Sequence, residues 1–389
     1  MLIVADENIP LLDSFFEDIG EIRQVSGREL SAADVKDADV LLVRSVSRVD
    51  QALLAGSRVK FVGTATIGTD HVDVAWLASQ GIHFASAPGC NANSVVEYVL
   101  SILSLHAERL DLKDWNTLSV GIVGAGNVGG ALWRILCRLG IRVKAYDPVR
   151  EALEAETGAP EKAETFSSLE AVLACDVVTL HTPLTRAGDF PTHGMIGRER
   201  LAALTENQLL INSGRGDVID EAALLDRLAS AGAPSVVLDV WEREPDINAD
   251  LLRQVWLGTP HIAGYSLEGK IQGTEMIYQA LCTFLGLPAR KQSGQFMPEP
   301  PLSKLSFTRA AQAREAADVA MRSCYDPRRD DARFRHKMKV ASEHPGQAFD
   351  QFRRDYPVRR EFSSTKIQLK GTSRSLQDKF KALGFRLKL

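Results

Sequence analysis

Short apolar runs punctuate the first ninety residues: Leu2-Ile3-Val4-Ala5, Val40-Leu41-Leu42-Val43 and Val59-Lys60-Phe61-Val62-Gly63. The polar, periodic stretches between them are long enough for helices, and that alternation predicts parallel strands in a βαβ layout. The pattern changes at Ser94-Val95-Val96-Glu97, which has the form of a capping box and leads into the apolar run Tyr98 to Leu105. A helix linking two domains is expected to start there. New strands are predicted at 118–123, 143–146, 177–180, 209–212 and 236–239, with helix-compatible sequence between them, a doubly wound plan. The helical stretch Leu267 to Leu285 returns the chain to the first domain, which is therefore discontinuous. The polar, proline-rich segment from Pro288 to Pro301 reads as a linker to a third domain. The expected divisions are 1–93 with 267–287, then 94–266, then 288–389.

Composition changes this picture in two ways. No apolar run nears the roughly 20 residues that span a bilayer, and Met1 to Glu7 is too short and acidic for a secretory leader. A cytoplasmic location is expected, away from membranes. The five cysteines, Cys90, Cys137, Cys175, Cys282 and Cys324, have no metal-like spacing, so reduced thiols and no metal site are expected. The net charge of -4 conceals a division. Residues 291–389 carry 22 Lys+Arg against 11 Asp+Glu, leaving 24 against 39 for residues 1–290. The tail also interleaves basic and aromatic residues, as in Arg333-Phe334-Arg335. A solvated or protein-docking face is favoured there over a nucleic-acid surface.

Candidate chemistry begins at Gly124-Ala125-Gly126-Asn127-Val128-Gly129, which follows a predicted strand and opens a predicted helix. The first glycine permits the tight turn, the second lets a pyrophosphate approach the backbone, and the third lets helix and strand pack closely. Asn127 and Val128 begin the helix whose free N–H groups would face the phosphates. Asp147 ends the next strand, where a carboxylate can bind ribose hydroxyls and repel a 2′-phosphate. NAD is expected over NADP, although Arg150 lies three residues on.

A nicotinamide enzyme acting on a hydroxy acid also needs a cation for the carboxylate, a base for the hydroxyl proton and a group to orient that base. Arg215 and Glu244 each follow a predicted strand and His261 comes next along the chain; Arg215 offers the cation, His261 the base and Glu244 the group that orients it. The segments Asn212-Ser213-Gly214-Arg215-Gly216, Asp239-Val240-Trp241-Glu242-Arg243-Glu244-Pro245 and Thr259-Pro260-His261-Ile262-Ala263-Gly264 resemble the ordered signatures of the D-2-hydroxy acid dehydrogenase family.

That resemblance implies a Rossmann-type NAD domain, a flavodoxin-like α/β substrate domain and a small C-terminal α+β domain that makes a homodimer. It implies oxidation of a phosphorylated four-carbon 2-hydroxy acid at C2, with Arg215 on substrate, Glu244 supporting the histidine and His261 exchanging the proton. It further implies substrate contacts at Ser45, Thr66 and Tyr265, and NAD contacts at Asp147, Thr182, Ser213, Asp239 and Gly264. Gly214 departs from the pattern, which has a larger residue there. The phosphate needs a cation: Arg44 is the local candidate, and Arg359 or Arg360 could reach across a dimer. Asp70-His71 and Cys90 are read as structural, and His181 as lining. Two rivals stand beside this reading: a relative acting on 3-phosphoglycerate or another 2-hydroxy acid, and an NAD-sensing scaffold whose tail binds nucleic acid.

Overall fold

Parallel strands β1 (Leu2–Asp6), β2 (Glu21–Val25), β3 (Val40–Val43), β4 (Phe61–Thr64) and β5 (His83–Ala85) form a first sheet in the order β2-β1-β3-β4-β5. β3 and β4 are buried at every position, which is why Val40–Val43 and Phe61-Val62-Gly63 stand out in the sequence. β2, Glu-Ile-Arg-Gln-Val, lies at the sheet edge with its side chains largely exposed, so periodicity gave no sign of it. The computed structural model describes residues 1–157, 165–341 and 343–388. Met1–Asn93 and Tyr265–Glu299 make one compact unit; Ser94–Gly264 and Pro300–Leu389 make the other.

The second unit holds β6 (Ser119–Val123), β7 (Arg142–Tyr146), β8 (Val177–Leu180), β9 (Leu209–Asn212), β10 (Ser235–Leu238) and β11 (Leu257–Gly258), all parallel, in the order β11-β10-β9-β8-β6-β7. A third, parallel sheet follows in the tail, with β12 (Lys304–Thr308), β13 (Lys366–Lys370) and β14 (Arg386–Lys388). In each larger sheet the winding direction reverses once, between β1 and β3 and between β6 and β8. Open α/β sheets bind ligands beyond the carboxyl ends of strands at such reversals.

The tail shares its core with the six-stranded sheet. Ala317, Ala320 and Met321 on the helix Ala313–Cys324 join Val99, Leu103 and Val120 in one buried cluster. Phe334, Phe349 and Phe352 join Trp241, Ile247 and Leu251 in another. Phe334 is fully buried, which stabilises by roughly 2 kcal/mol relative to exposure. The interleaved basic and aromatic positions are therefore an amphipathic helix with its ring turned inward, while Arg335 binds the carbonyls of Leu252 and Val255. Part of the tail's excess charge is met within the chain, by Arg322 on Glu108 (2.7 Å) and Lys379 on Asp114 (3.3 Å).

Two expected boundaries differ in the structure. The linking helix spans Ala92–Arg109, so Ser94 lies inside it rather than capping it. Tertiary partners take the capping groups instead: Ser94 Oγ donates to Glu361 (3.1 Å), and Glu97 accepts from the Phe362 N–H (2.8 Å). The start of the proline-rich segment also packs rather than hanging free. Lys291 pairs with Asp18 (2.7 Å), and the Phe296 ring lies 5.2 Å from that of Phe15. No helix among the described residues is long and apolar enough to cross a membrane.

Candidate active site

The glycine loop joins β6 to the helix Asn127–Arg138 at the reversal of the second sheet. Gly124 has φ +87°, a conformation costly for other residues, and a Cβ there would lie 2.9 Å from the His181 carbonyl carbon. A Cβ on Gly129 would fall 1.9 Å from the Gly124 oxygen, so helix and turn meet only because it is absent. Gly126 differs: its Cβ would project into open space, so the fold alone does not require glycine there. Val128 packs against the core beneath.

Asp147 accepts from the Ala125 N–H with Oδ2 (2.9 Å) and from the Arg150 N–H with Oδ1 (3.0 Å), binding the end of β7 to the glycine loop. Arg150 reaches the same loop, donating to the Ala125 carbonyl (2.9 Å) while pairing with Glu154 (2.6 Å). Across the reversal, Thr182 Oγ1 is buried without a hydrogen-bond partner. An orphaned hydroxyl is costly to bury and suits a site that takes a polar ligand. Its neighbour His181 is held neutral by burial, its pKa pushed down to about 3, and bonds Thr179 (3.0 Å) and Ser213 (3.3 Å). Open space at Gly126, the Asp147 carboxylate and the orphan at Thr182 fit a dinucleotide.

The loop after β11 carries His261 in the left-handed region at φ +57°, with its N–H on the Asp239 carbonyl (2.6 Å). Its Nδ1 donates to Glu244 Oε2 at 2.7 Å, which leaves Nε2 as the basic nitrogen. Glu244 is fixed in turn by the Trp241 N–H on Oε1 (2.9 Å). Burial pushes the Glu244 carboxyl up, but the His261 charge and hydrogen bond, with Arg353, hold it below its ordinary range. A carboxylate that stays ionised beside the ring stabilises imidazolium.

Three remote groups hold that loop. Asp239 accepts from Thr259 Oγ1 (2.6 Å) and the N–H groups of Ile262 (2.8 Å) and Ala263 (2.9 Å). A carboxylate has about four acceptor positions, so one remains for another donor. Because the Thr259 proton is committed to Asp239, the Tyr98 hydroxyl donates to Thr259 (2.8 Å). Arg359 donates from Nη1 to the Ala263 carbonyl (3.0 Å) and from Nη2 to that of Ser94 (2.7 Å), with its guanidinium 3.7 Å from the Tyr325 ring centre. It is 5% exposed, which rules out the expected reach of Arg359 toward a partner's substrate: both ends of the fork are spent inside its own chain. Gly264 closes this loop as the last residue of the second unit before the chain enters the first at Tyr265.

Arg215 follows β9, and Asn212 grips the loop on both sides, accepting from Gly214 N–H (3.1 Å) and donating to the Arg215 carbonyl (2.9 Å). A Cβ on Gly216 would lie 2.0 Å from the Trp241 carbonyl group, so glycine lets the Arg215 loop rest on the backbone leading to Glu244. Gly214 is tight as well, with a Cβ 3.1 Å from the Thr182 oxygen. The larger residue expected there would require that carbonyl to give way.

In the first unit, Ser45 is exposed just beyond β3 and Thr66 lies beyond β4. Thr66 Oγ1 donates to the Gly68 carbonyl (3.0 Å), so Thr64 (2.8 Å) must donate to Thr66 and His71 Nε2 (3.0 Å) to Thr64. His71 is thereby part of a hydroxyl relay. Tyr265 precedes Ser266, the cap of the helix Leu267–Leu285, and its ring has the Lys270 ammonium at 4.5 Å and the Arg44 guanidinium at 6.0 Å. Sequence reasoning passed over Lys270, Asn212 and the Tyr98–Thr259 pair.

Comparison with known proteins agrees with this geometry. Residues 103–263 match the NAD-binding domain of D-isomer specific 2-hydroxyacid dehydrogenases, and residues 296–384 match a domain described as of unknown function. Among solved structures, D-lactate dehydrogenase from Aquifex aeolicus shares the fold at a TM-score of 0.60 and 22% identity, covering 74% of this chain and 96% of its own. A 3-phosphoglycerate dehydrogenase from Entamoeba histolytica does so at 0.61 and 24%, covering 74% and 95%. The erythronate-4-phosphate dehydrogenase of Marinobacter nauticus is 67% identical over 100% of both chains, and that of Hahella chejuensis 48% identical over 100% of this chain and 99% of its own. With matches that span the tail as well as the dinucleotide domain, the chain belongs to the erythronate-4-phosphate dehydrogenase family of D-isomer specific 2-hydroxyacid dehydrogenases.

Proposed function

We propose that this protein oxidises 4-phospho-D-erythronate to 2-oxo-3-hydroxy-4-phosphobutanoate with NAD, a step toward pyridoxal 5′-phosphate. The observation that carries the reading is the 2.7 Å bond between His261 Nδ1 and Glu244, which leaves a basic Nε2 for the substrate hydroxyl, in a chain with full-length relatives of that name. His261 Nε2 takes the C2 hydroxyl proton as the C–O bond becomes a carbonyl. The imidazolium that forms is stabilised by Glu244, whose other oxygen the Trp241 N–H keeps in place. Arg215 grips the substrate carboxylate with its planar fork.

The chemistry NAD would supply when bound is that of a hydride acceptor for C2. Gly124, Gly126, Asn127, Val128 and Gly129 would hold its pyrophosphate, Asp147 its adenosine ribose, and Thr182, Ser213, Asp239 and Gly264 the remainder. Ser45, Thr66 and Tyr265 bind the hydroxylated substrate. In this reading residues 1–93 with 267–287 form the substrate domain, 94–266 the NAD domain, and 288–389 a domain that makes a cytoplasmic homodimer.

The test is NADH formation by the purified protein with 4-phospho-D-erythronate beside 3-phospho-D-glycerate, following burst and steady state. Preference for the four-carbon acid is expected. Preference for the three-carbon acid would keep the chemistry and overturn the substrate, and no reduction with either would overturn the activity.

A further inference from the structure

We infer that Arg44 and Lys270 form a phosphate-binding site at the winding reversal of the first sheet, and that this site holds the phosphate end of the substrate. The assignment rests on the functional reading above for the identity of the phosphate, but on the first unit alone for the site. Arg44 directly follows β3, and its Nη1 donates to the carbonyl of Asn8, which follows β1. Those are the two strands between which the order β2-β1-β3-β4-β5 reverses. Asn8 is itself pinned by Asp6, through its N–H (2.8 Å) and Nδ2 (3.2 Å), so the guanidinium is steered by a rigid strand end.

Lys270 approaches from a different element. It lies in the first turn of the helix Leu267–Leu285, with its ammonium 4.5 Å from the Tyr265 ring centre, while Arg44 lies 6.0 Å from the same centre. Both cations are half-buried. One ring thus brings two cations from separate elements into one neighbourhood, and an anion there is attracted by both. Nineteen residues of helix begin beside them, and the partial positive charge of that end adds to the same field. An ammonium and a guanidinium suit a phosphate dianion together, one as a point charge and the other as a fork of donors.

The test compares kcat/KM for 4-phospho-D-erythronate and for unphosphorylated D-erythronate in the wild type, Lys270→Met, Arg44→Met and Lys270→Arg. The ratio between the two acids should fall about 10- to 100-fold in each methionine variant, the range for losing one charge-assisted hydrogen bond. Lys270→Arg, which keeps the charge, should restore most of it. A wild type that favours the phosphorylated acid, with the ratio unchanged in both methionine variants, overturns the site and leaves the activity standing. Calorimetric titration with inorganic phosphate separates the two readings: weakened binding in both methionine variants supports the site even if neither acid is oxidised, and undiminished binding overturns it.

Discussion

The glycine loop and the His261 loop lie at carboxyl ends of the same six-stranded sheet, yet they are held in different ways. The glycine loop is built from near neighbours: Gly124 N–H on the Tyr146 carbonyl (2.8 Å), Ala125 on Asp147, and Gly129 against the Gly124 oxygen. The His261 loop is held from afar, by Asp239, by Tyr98 through Thr259, and by Arg359 from 96 residues further on. A cofactor turn needs only the right backbone shape. A proton-transfer group must also keep one ring nitrogen on its partner, and the chain spends buried tail residues to hold it there.

The comparison predicts unequal responses to substitution. Glu244→Gln keeps the shape of the pair but removes the charge that stabilises imidazolium, and should lower kcat by about 10²- to 10³-fold, within the usual range for general acid–base catalysis. Steady-state kinetics with an NAD titration checks it, and a loss under threefold would contradict the pairing. Since the Glu244 carboxyl is held below its ordinary range, the stability it contributes is present above that range and lost as pH falls through its lowered pKa. An acid titration of wild type and Glu244→Gln should therefore converge at low pH.

Arg359→Met should cost about 3–5 kcal/mol, because it strands buried carbonyls and leaves Glu97 and Asp330 facing one fewer cation. Chemical denaturation measures this, and a cost below about 1 kcal/mol would show the brace to be dispensable. In the glycine loop the effects should be smaller and should separate. Gly129→Ala should destabilise by about 1–3 kcal/mol through overpacking. Gly126→Ala should stay within about 0.5 kcal/mol of wild type in stability while NAD binds more weakly. Equal stability losses in the two variants would mean that Gly126, too, is fixed by the fold.

The same difference governs what could be read from the amino-acid sequence. The buried strands β3, β8 and β9 appear as apolar runs, and the helix Leu267–Leu285 has its anticipated ends, because burial and period are local properties. The edge strand β2 and the two-residue β11 lack both signals. Gly124, Gly126, Gly129 and Asp147 were legible because their spacing is itself the geometry. The brace at Arg359 was not, since nothing in Pro357-Val358-Arg359-Arg360 says which arginine turns inward. Ser94 and Glu97 show the converse, a cap-like spacing whose groups are claimed by Glu361 and the Phe362 N–H.

The central claim is that His261 takes the proton from the substrate. Rapid mixing of NAD and 4-phospho-D-erythronate with wild type and with His261→Ala, following the first turnover of NADH formation, tests it most directly. The account predicts a first turnover slowed about 10³-fold or more in His261→Ala, in the upper range for a general base, with NAD affinity retained. A first turnover at the wild-type rate in that variant would contradict it.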